Sequence, residues 1–204
     1  LVADSSQGYV EHPPSEAPVA SNLSSIKDVR DGLKFAFGER SVVQGIVTYI
    51  TNSGDFYLAD ESGAIHVKLR GEDPPEVGSS LKVSGFSVAR GKQMGLELAV
   101  KASGDEMLQP IIREPLEHFE RLQEELIGLP VLVSGTIASI FNNDKKTTIY
   151  LLENENIVAV DAPVELGKLK PGTEISTEAI YLAAYNETGY LTGYDLKIID
   201  PEKV

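Results

Sequence analysis

Residues 42–100 read VVQGIVTYITNSGDFYLADESGAIHVKLRGEDPPEVGSSLKVSGFSVARGKQMGLELAV. Apolar residues fall at every second position here, and compact turns divide the stretch, which predicts five short strands. Asn52-Ser53-Gly54-Asp55 turns the first strand into the second, and Asp60-Glu61-Ser62-Gly63 turns the second into the third. The first strand is long, about Ser41 to Thr51, and carries Gly45 in its interior. A missing side chain there lets one strand bend sharply enough to serve both halves of a barrel. A small closed barrel is the expected outcome.

In the third strand Ile65, Val67 and Leu69 alternate with His66, Lys68 and Arg70, so one side reads as core and the other as basic. Pro74, Pro75 and Gly78 break the chain before a fourth strand, Leu81 to Val88. The turn Arg90-Gly91-Lys92 then leads into a fifth through Leu96, Leu98 and Val100. With "FYLADESGAIHV" and "GSSLKVSG" as its most recognisable pieces, the stretch resembles an OB-fold, a five-stranded Greek-key barrel. Ligands of such barrels lie across strands two and three, held by the loops after strands one and four. Those positions carry Tyr57, His66, Lys68 and Arg70, flanked by Arg90 and Lys92. An aromatic ring beside cations is suited to stacking a base or sugar and pairing an anion.

Beyond this stretch the pattern starts again. Val131, Val133, Gly135 and Ile137 repeat the alternation and inner glycine of Val43, Gly45 and Val47. The turn Asn142-Asn143-Asp144-Lys145-Lys146 follows, then strands at Thr147–Leu152 and Ile157–Ala162, a fourth around Ile175–Tyr181, and a last hairpin ending in Leu196 and Ile198. The third of these carries Val158, Val160 and Asp161, so it does not repeat the basic surface of the first barrel. Tyr150, Tyr181, Tyr185, Tyr190 and Tyr194 offer a carbohydrate or protein contact, or serve as ordinary strand formers.

A short helix is expected before each barrel. Ser25 with Asp28 forms a capping-box variant ahead of Ile26, Val29 and Leu33. Pro115 is placed to open a second helix, with Leu116, Phe119, Leu122 and Leu126 along one stripe and Gly128 as its stop. The expected fold is therefore mainly β: two tandem five-stranded OB-like Greek-key barrels, each preceded by a short helix. The divisions are a Pro-, Ser- and Ala-rich tail or linker over 1–24, a first unit over 25–104 and a second over 105–204.

Of the net charge of −13, the last hundred residues hold 18 acidic against 8 basic side chains. That field repels polyanions and disfavours nucleic acid, the first barrel excepted. No uninterrupted apolar run reaches the ~18 residues a spanning helix needs. With no cysteine, disulfides, thiolate metal sites and cysteine nucleophiles are absent, and such a composition suits an oxidising extracytoplasmic compartment.

Catalytic and cofactor motifs are missing: no nucleophile elbow, phosphate-binding glycine loop, zinc-protease helix or dinucleotide fingerprint occurs. His12, His66 and His118 lie scattered over the tail, a strand and the second predicted helix, so no metal site is expected. Asp60-Glu61 and Glu72-Asp73 sit in tight turns, where acidic residues serve conformation. No enzyme, cofactor or metal is expected.

The segments "SIKDV", "VVQGIVTYI", "FYLADESGAIHV" and "LIGLPVLVSGTIASI" together resemble the tandem OB-like modules of bacterial envelope proteins and of the extracytoplasmic regions of some bacterial signalling proteins. The resemblance spans about residues 25–200 and implies a non-catalytic module outside the cytoplasm, one that binds a protein or ligand or serves as a sensor. It transfers no functional residues. The alternative expectation is single-stranded nucleic-acid or oligosaccharide binding through the first barrel.

Overall fold

The computed structural model describes residues 22–33, 39–91, 93–102, 108, 111, 114–116, 123–144, 146–162, 166, 169–186 and 190–200. Most of the expected tail, His12 included, lies outside the described residues. The chain forms two five-stranded OB-like barrels.

Helix α1 (Ile26–Arg30) precedes the first, and the Ser25 side chain accepts a hydrogen bond from the Asp28 backbone N–H as its cap. Strands β1 (Arg40–Ile50), β2 (Phe56–Asp60), β3 (Gly63–Leu69), β4 (Ser80–Arg90) and β5 (Gln93–Lys101) follow. They close in the order β1-β2-β3-β5-β4, with β3 and β5 parallel. Ile26, Val43, Val47, Phe56, Leu58, Ile65, Val67, Val83 and Leu96 fill the interior, as the alternation requires. Gly45 earns its place by contact: a Cβ there would lie 2.5 Å from the Ala59 carbonyl oxygen, where β1 coils across β2.

The second barrel is built from β7 (Pro130–Asn142), β8 (Thr147–Glu153), β9 (Asn156–Ala162), β10 (Glu174–Tyr185) and β11 (Leu191–Ile198). Its ring runs β7-β8-β9-β11-β10 and closes through β10–β7, again with one parallel pair, β9–β11. The two rings agree in detail. Each first strand slips register by a bulge at one position, between Val47 and Tyr49 in β1 and between Ile137 and Ser139 in β7. Each barrel is latched beside that bulge by a glycine in the left-handed region. Gly78 (φ +86°) donates to the Val47 carbonyl, and Gly172 (φ +88°) to that of Ile137.

The second expected helix is corrected. Pro115 lies in a two-residue strand, β6 (Glu114–Pro115), parallel to β7, and the Leu116 N–H donates to the Leu132 carbonyl. Further on, the described part of the stretch is a single 3-10 turn, Glu124–Leu126, while 117–122, with His118, lie outside the described residues. Of the expected apolar stripe, Leu116 sits in the second core and Leu126 packs against it, joined there by Ile127, while Phe119 and Leu122 lie outside the described residues. Among the described residues no helix is long and apolar enough to cross a membrane.

The turn after Leu126 joins the barrels. Gly128 (φ +84°) donates its N–H to the Tyr181 carbonyl of β10 at 2.7 Å, and its carbonyl accepts from Thr48 Oγ1 of β1, also at 2.7 Å. The backbone of one residue thus hydrogen-bonds both barrels. A Cβ at this position would overlap the Tyr57 ring and come within 2.9 Å of Ala64 Cβ, so glycine is required by space as well as by dihedral angle. Around it, Gln93 Nε2 donates to the Glu124 carbonyl at 2.7 Å, and Lys197 Nζ lies 5.8 Å from the Tyr49 ring centroid. Gly128→Ala is therefore expected to lower unfolding stability by about 2 kcal/mol or more, combining left-handed strain with steric displacement of Tyr57. Urea titration checks this, and a loss under about 0.5 kcal/mol, the ordinary surface scatter, would contradict it.

Candidate functional site

On the first barrel the residues singled out from sequence part company. Tyr57 of β2 and His66 of β3 are paired neighbours, with their rings edge to face at 5.4 Å between centroids. Tyr57 packs against the second barrel's core cluster, and His66 beside it is 8% exposed. The exposed basic strand face expected there is thus, at Tyr57, a joint between barrels and, at His66, buried. Lys68, Arg70 and Arg90 remain exposed around it, and Lys92 lies outside the described residues. The Arg90 stem runs beside Gly95, where a Cβ would stand 2.8 Å from Arg90 Cδ.

The electrostatics follow from this burial. Desolvation pushes the Tyr57 hydroxyl up to about 12, reinforced by Tyr185. His66 is lowered to about 4, chiefly by desolvation and then by Arg90. Asp55 Oδ2, 3.5 Å from His66 Nε2, acts in the opposite direction but is outweighed, and Nδ1 has no hydrogen-bond partner to favour a charged ring.

The sign of the resulting pH dependence is fixed. The unfolded chain takes up a proton at His66 near the ordinary 6.5 and the folded chain only near about 4, so stability is lost as pH falls through that window. Between pH 7 and 5 this residue alone is expected to remove about 2 kcal/mol. His66→Gln should flatten that part of the slope, and denaturant titrations at both pH values that gave the two proteins equal slopes would contradict it.

The equivalent face of the second barrel is open. Register places Tyr150 where Tyr57 stands, since Tyr57 lies opposite Tyr49 just past the first bulge and Tyr150 opposite Ser139 just past the second. The same alignment matches His66 with Ala159, Ala59 with Leu152 and Ala64 with Ile157. Three rows of side chains cross the outer surface of β7, β8 and β9. Thr136, Leu152 and Ile157 form one, Ser139, Tyr150 and Ala159 the middle one, and Phe141, Thr148 and Asp161 the third. Ile157 is 64% exposed, Phe141 61%, Leu152 44% and Tyr150 37%. Beneath them Ile149, Leu151, Val158 and Val160 are buried in the core, so the strands are held rigidly from behind.

An aromatic ring between two small neighbours, walled by aliphatic side chains, is chemically a stacking and packing surface. Asp161 is engaged by Lys146 at 2.6 Å and by Thr148 Oγ1 at 2.7 Å, which fixes the one ion pair in the third row. Of the other tyrosines, Tyr181 is buried, accepts the Gln123 N–H through its hydroxyl and stacks on Tyr194 at 4.7 Å, while Tyr185 lies against Gly91 of the first barrel. The correspondence of Tyr150 with Tyr57 is masked in the sequence because the β7–β8 hairpin runs three residues further between the bulge and the tyrosine, its ladder continuing to Asn142 and Thr147. Among the described residues no group of three His, Asp or Glu side chains is placed to hold a metal ion.

No protein-family model matches the sequence, and no curated protein matches it. Among solved structures the chain is similar to fission yeast Pot1 with single-stranded DNA, at 13% identity over 87% of this chain and 84% of that one, with a TM-score of 0.38. It is similar also to a murine DNA-binding protein with double-stranded DNA, at 13% identity, 78% and 90% coverage and a TM-score of 0.38. A third is OBody AM3L09 bound to hen egg-white lysozyme, at 18% identity, 42% and 91% coverage and a TM-score of 0.33. At such scores the likeness is one of outline and bears on neither ligand nor partner.

Proposed function

We propose that this chain is a non-catalytic recognition module whose contact surface is the outer face of β7–β9. The observation that carries this is the opposite fate of two equivalent tyrosines. In the first barrel the strand-two tyrosine is covered by the chain's own Gly128 turn, while in the second it stands open among Phe141, Leu152 and Ile157. Contiguous exposed apolar side chains of this kind mark contact surfaces in proteins without other need for them. An extracytoplasmic setting belongs to the same proposal and rests on the acidity and the absence of cysteine.

A second reading, single-stranded nucleic acid or oligosaccharide at the first barrel, draws on Lys68, Arg70 and Arg90, which remain exposed. It has lost the stacking face that Tyr57 and His66 were to supply.

Two titrations separate the readings. A panel of aromatic and aliphatic fragments, followed by amide NMR shifts, should perturb residues of 139–141, 148–152 and 157–161, and Tyr150→Ala should remove the effect. Shifts confined to other regions would contradict the leading reading. A labelled single-stranded oligonucleotide should show no salt-steep micromolar binding, whereas such binding, abolished by alanine at Lys68, Arg70 and Arg90, would install the second.

A further inference from the structure

We propose that the partner of the β7–β9 face is a polypeptide segment with an apolar centre and cationic flanks. This rests on the recognition reading above and goes on to name the partner's chemistry. The apolar centre is Phe141, Tyr150, Leu152 and Ile157. Its margins are acidic. Glu174 lies in the same cross-strand row as Thr136, Leu152 and Ile157, and is exposed. Glu153 ends β8 and Glu155 lies in the β8–β9 turn, next along the chain to Leu152 and near Ile157, and Asp144 stands exposed in the β7–β8 turn beyond Phe141. Lys146, also at this edge, is tied to Asp161.

Charge complementarity selects among the occupants. A second copy would set these carboxylates against its own and bring together two chains of −13 each. A phosphate-bearing ligand meets the same repulsion. The first barrel's docking does not transfer either, because Ala64, which lets Gly128 approach, is replaced by Ile157. What fits is a segment that buries aliphatic or aromatic side chains along the Ser139–Tyr150–Ala159 row and sets lysine or arginine against Glu153, Glu155 and Glu174.

The test uses the full chain and two synthetic twelve-residue peptides, one alternating leucine with lysine and one alternating leucine with glutamate. Binding is followed by amide NMR shifts and calorimetry at two salt concentrations. The lysine peptide should shift residues of 139–161. Phe141→Ser with Ile157→Ser, which leaves the charge unchanged, should weaken it about tenfold or more, as expected of central apolar contacts. Glu155→Gln with Glu174→Gln should weaken it severalfold and reduce its salt dependence.

Absence of lysine-peptide binding, or binding indifferent to the two serine substitutions, would overturn the inference, the latter because bare charge attraction would then explain it. Equal or tighter binding of the glutamate peptide at the same amides would overturn the partner chemistry while leaving the recognition reading intact. So would self-association in sedimentation that Ile157→Ser abolishes. If neither peptide nor any fragment moves these amides, the recognition reading falls with it.

Discussion

The Gly128 backbone is the constraint on which the arrangement depends. Its N–H is committed to Tyr181 in the second barrel and its carbonyl to Thr48 in the first, across 80 residues of chain. Buried backbone groups left unpaired are costly, so the two barrels satisfy each other's polar requirements at this point. The donor on the first barrel stands at the β1 bulge, between Val47 and Tyr49, where the strand's alternation is interrupted and Thr48 is turned out of the ladder. The bulge and the left-handed glycine therefore work as a pair. Tyr57 and Ala64 form the seat into which only a residue without a side chain can come this close.

The joint has a functional consequence. A barrel whose strand-two and strand-three face is covered by its neighbour no longer offers that face to a ligand, whatever residue types it displays. His66 illustrates the change: in sequence it reads as one of a row of cations, and in the structure it is a buried neutral ring with Nδ1 unbonded. The second barrel keeps the tyrosine and replaces the flanking alanines with leucine and isoleucine, which builds an outward apolar surface where the first has a docking seat. Under the proposed function, the two copies of one architecture divide the work between holding the pair together and meeting something outside it.

Strands and barrel closure were legible because period-two alternation and turn chemistry are local properties. The Asp60–Gly63 turn acts within a few residues of where it stands, and Gly45 and Gly78 mark a strand interior and a strand break in the sequence even though the groups they meet, on Ala59 and Val47, are distant. The joint was not legible, because its contacts join Thr48 and Tyr57 to Gly128, and a polar residue on an outer strand face looks the same whether water or another barrel covers it. The stretch from Pro115 to Gly128 misled in a different way. Leu116 is indeed a core residue and Leu126 packs against the core, but they reach it from beside an edge strand and from a 3-10 turn, and apolar spacing alone does not distinguish those from a helix. Tyr150 was visible as a tyrosine, yet its equivalence to Tyr57 needed the strand register that the longer second hairpin conceals.

The central claim is that these two tyrosines, equal in position, are unequal in exposure. Nitration of the native chain with tetranitromethane, mapped by mass spectrometry, addresses it directly, since the reagent needs an accessible phenolate. Tyr150 should be modified while Tyr57, covered by the Gly128 turn and with its hydroxyl raised to about 12, is spared. Modification of both at similar rates would show the first face to be open and would contradict the account.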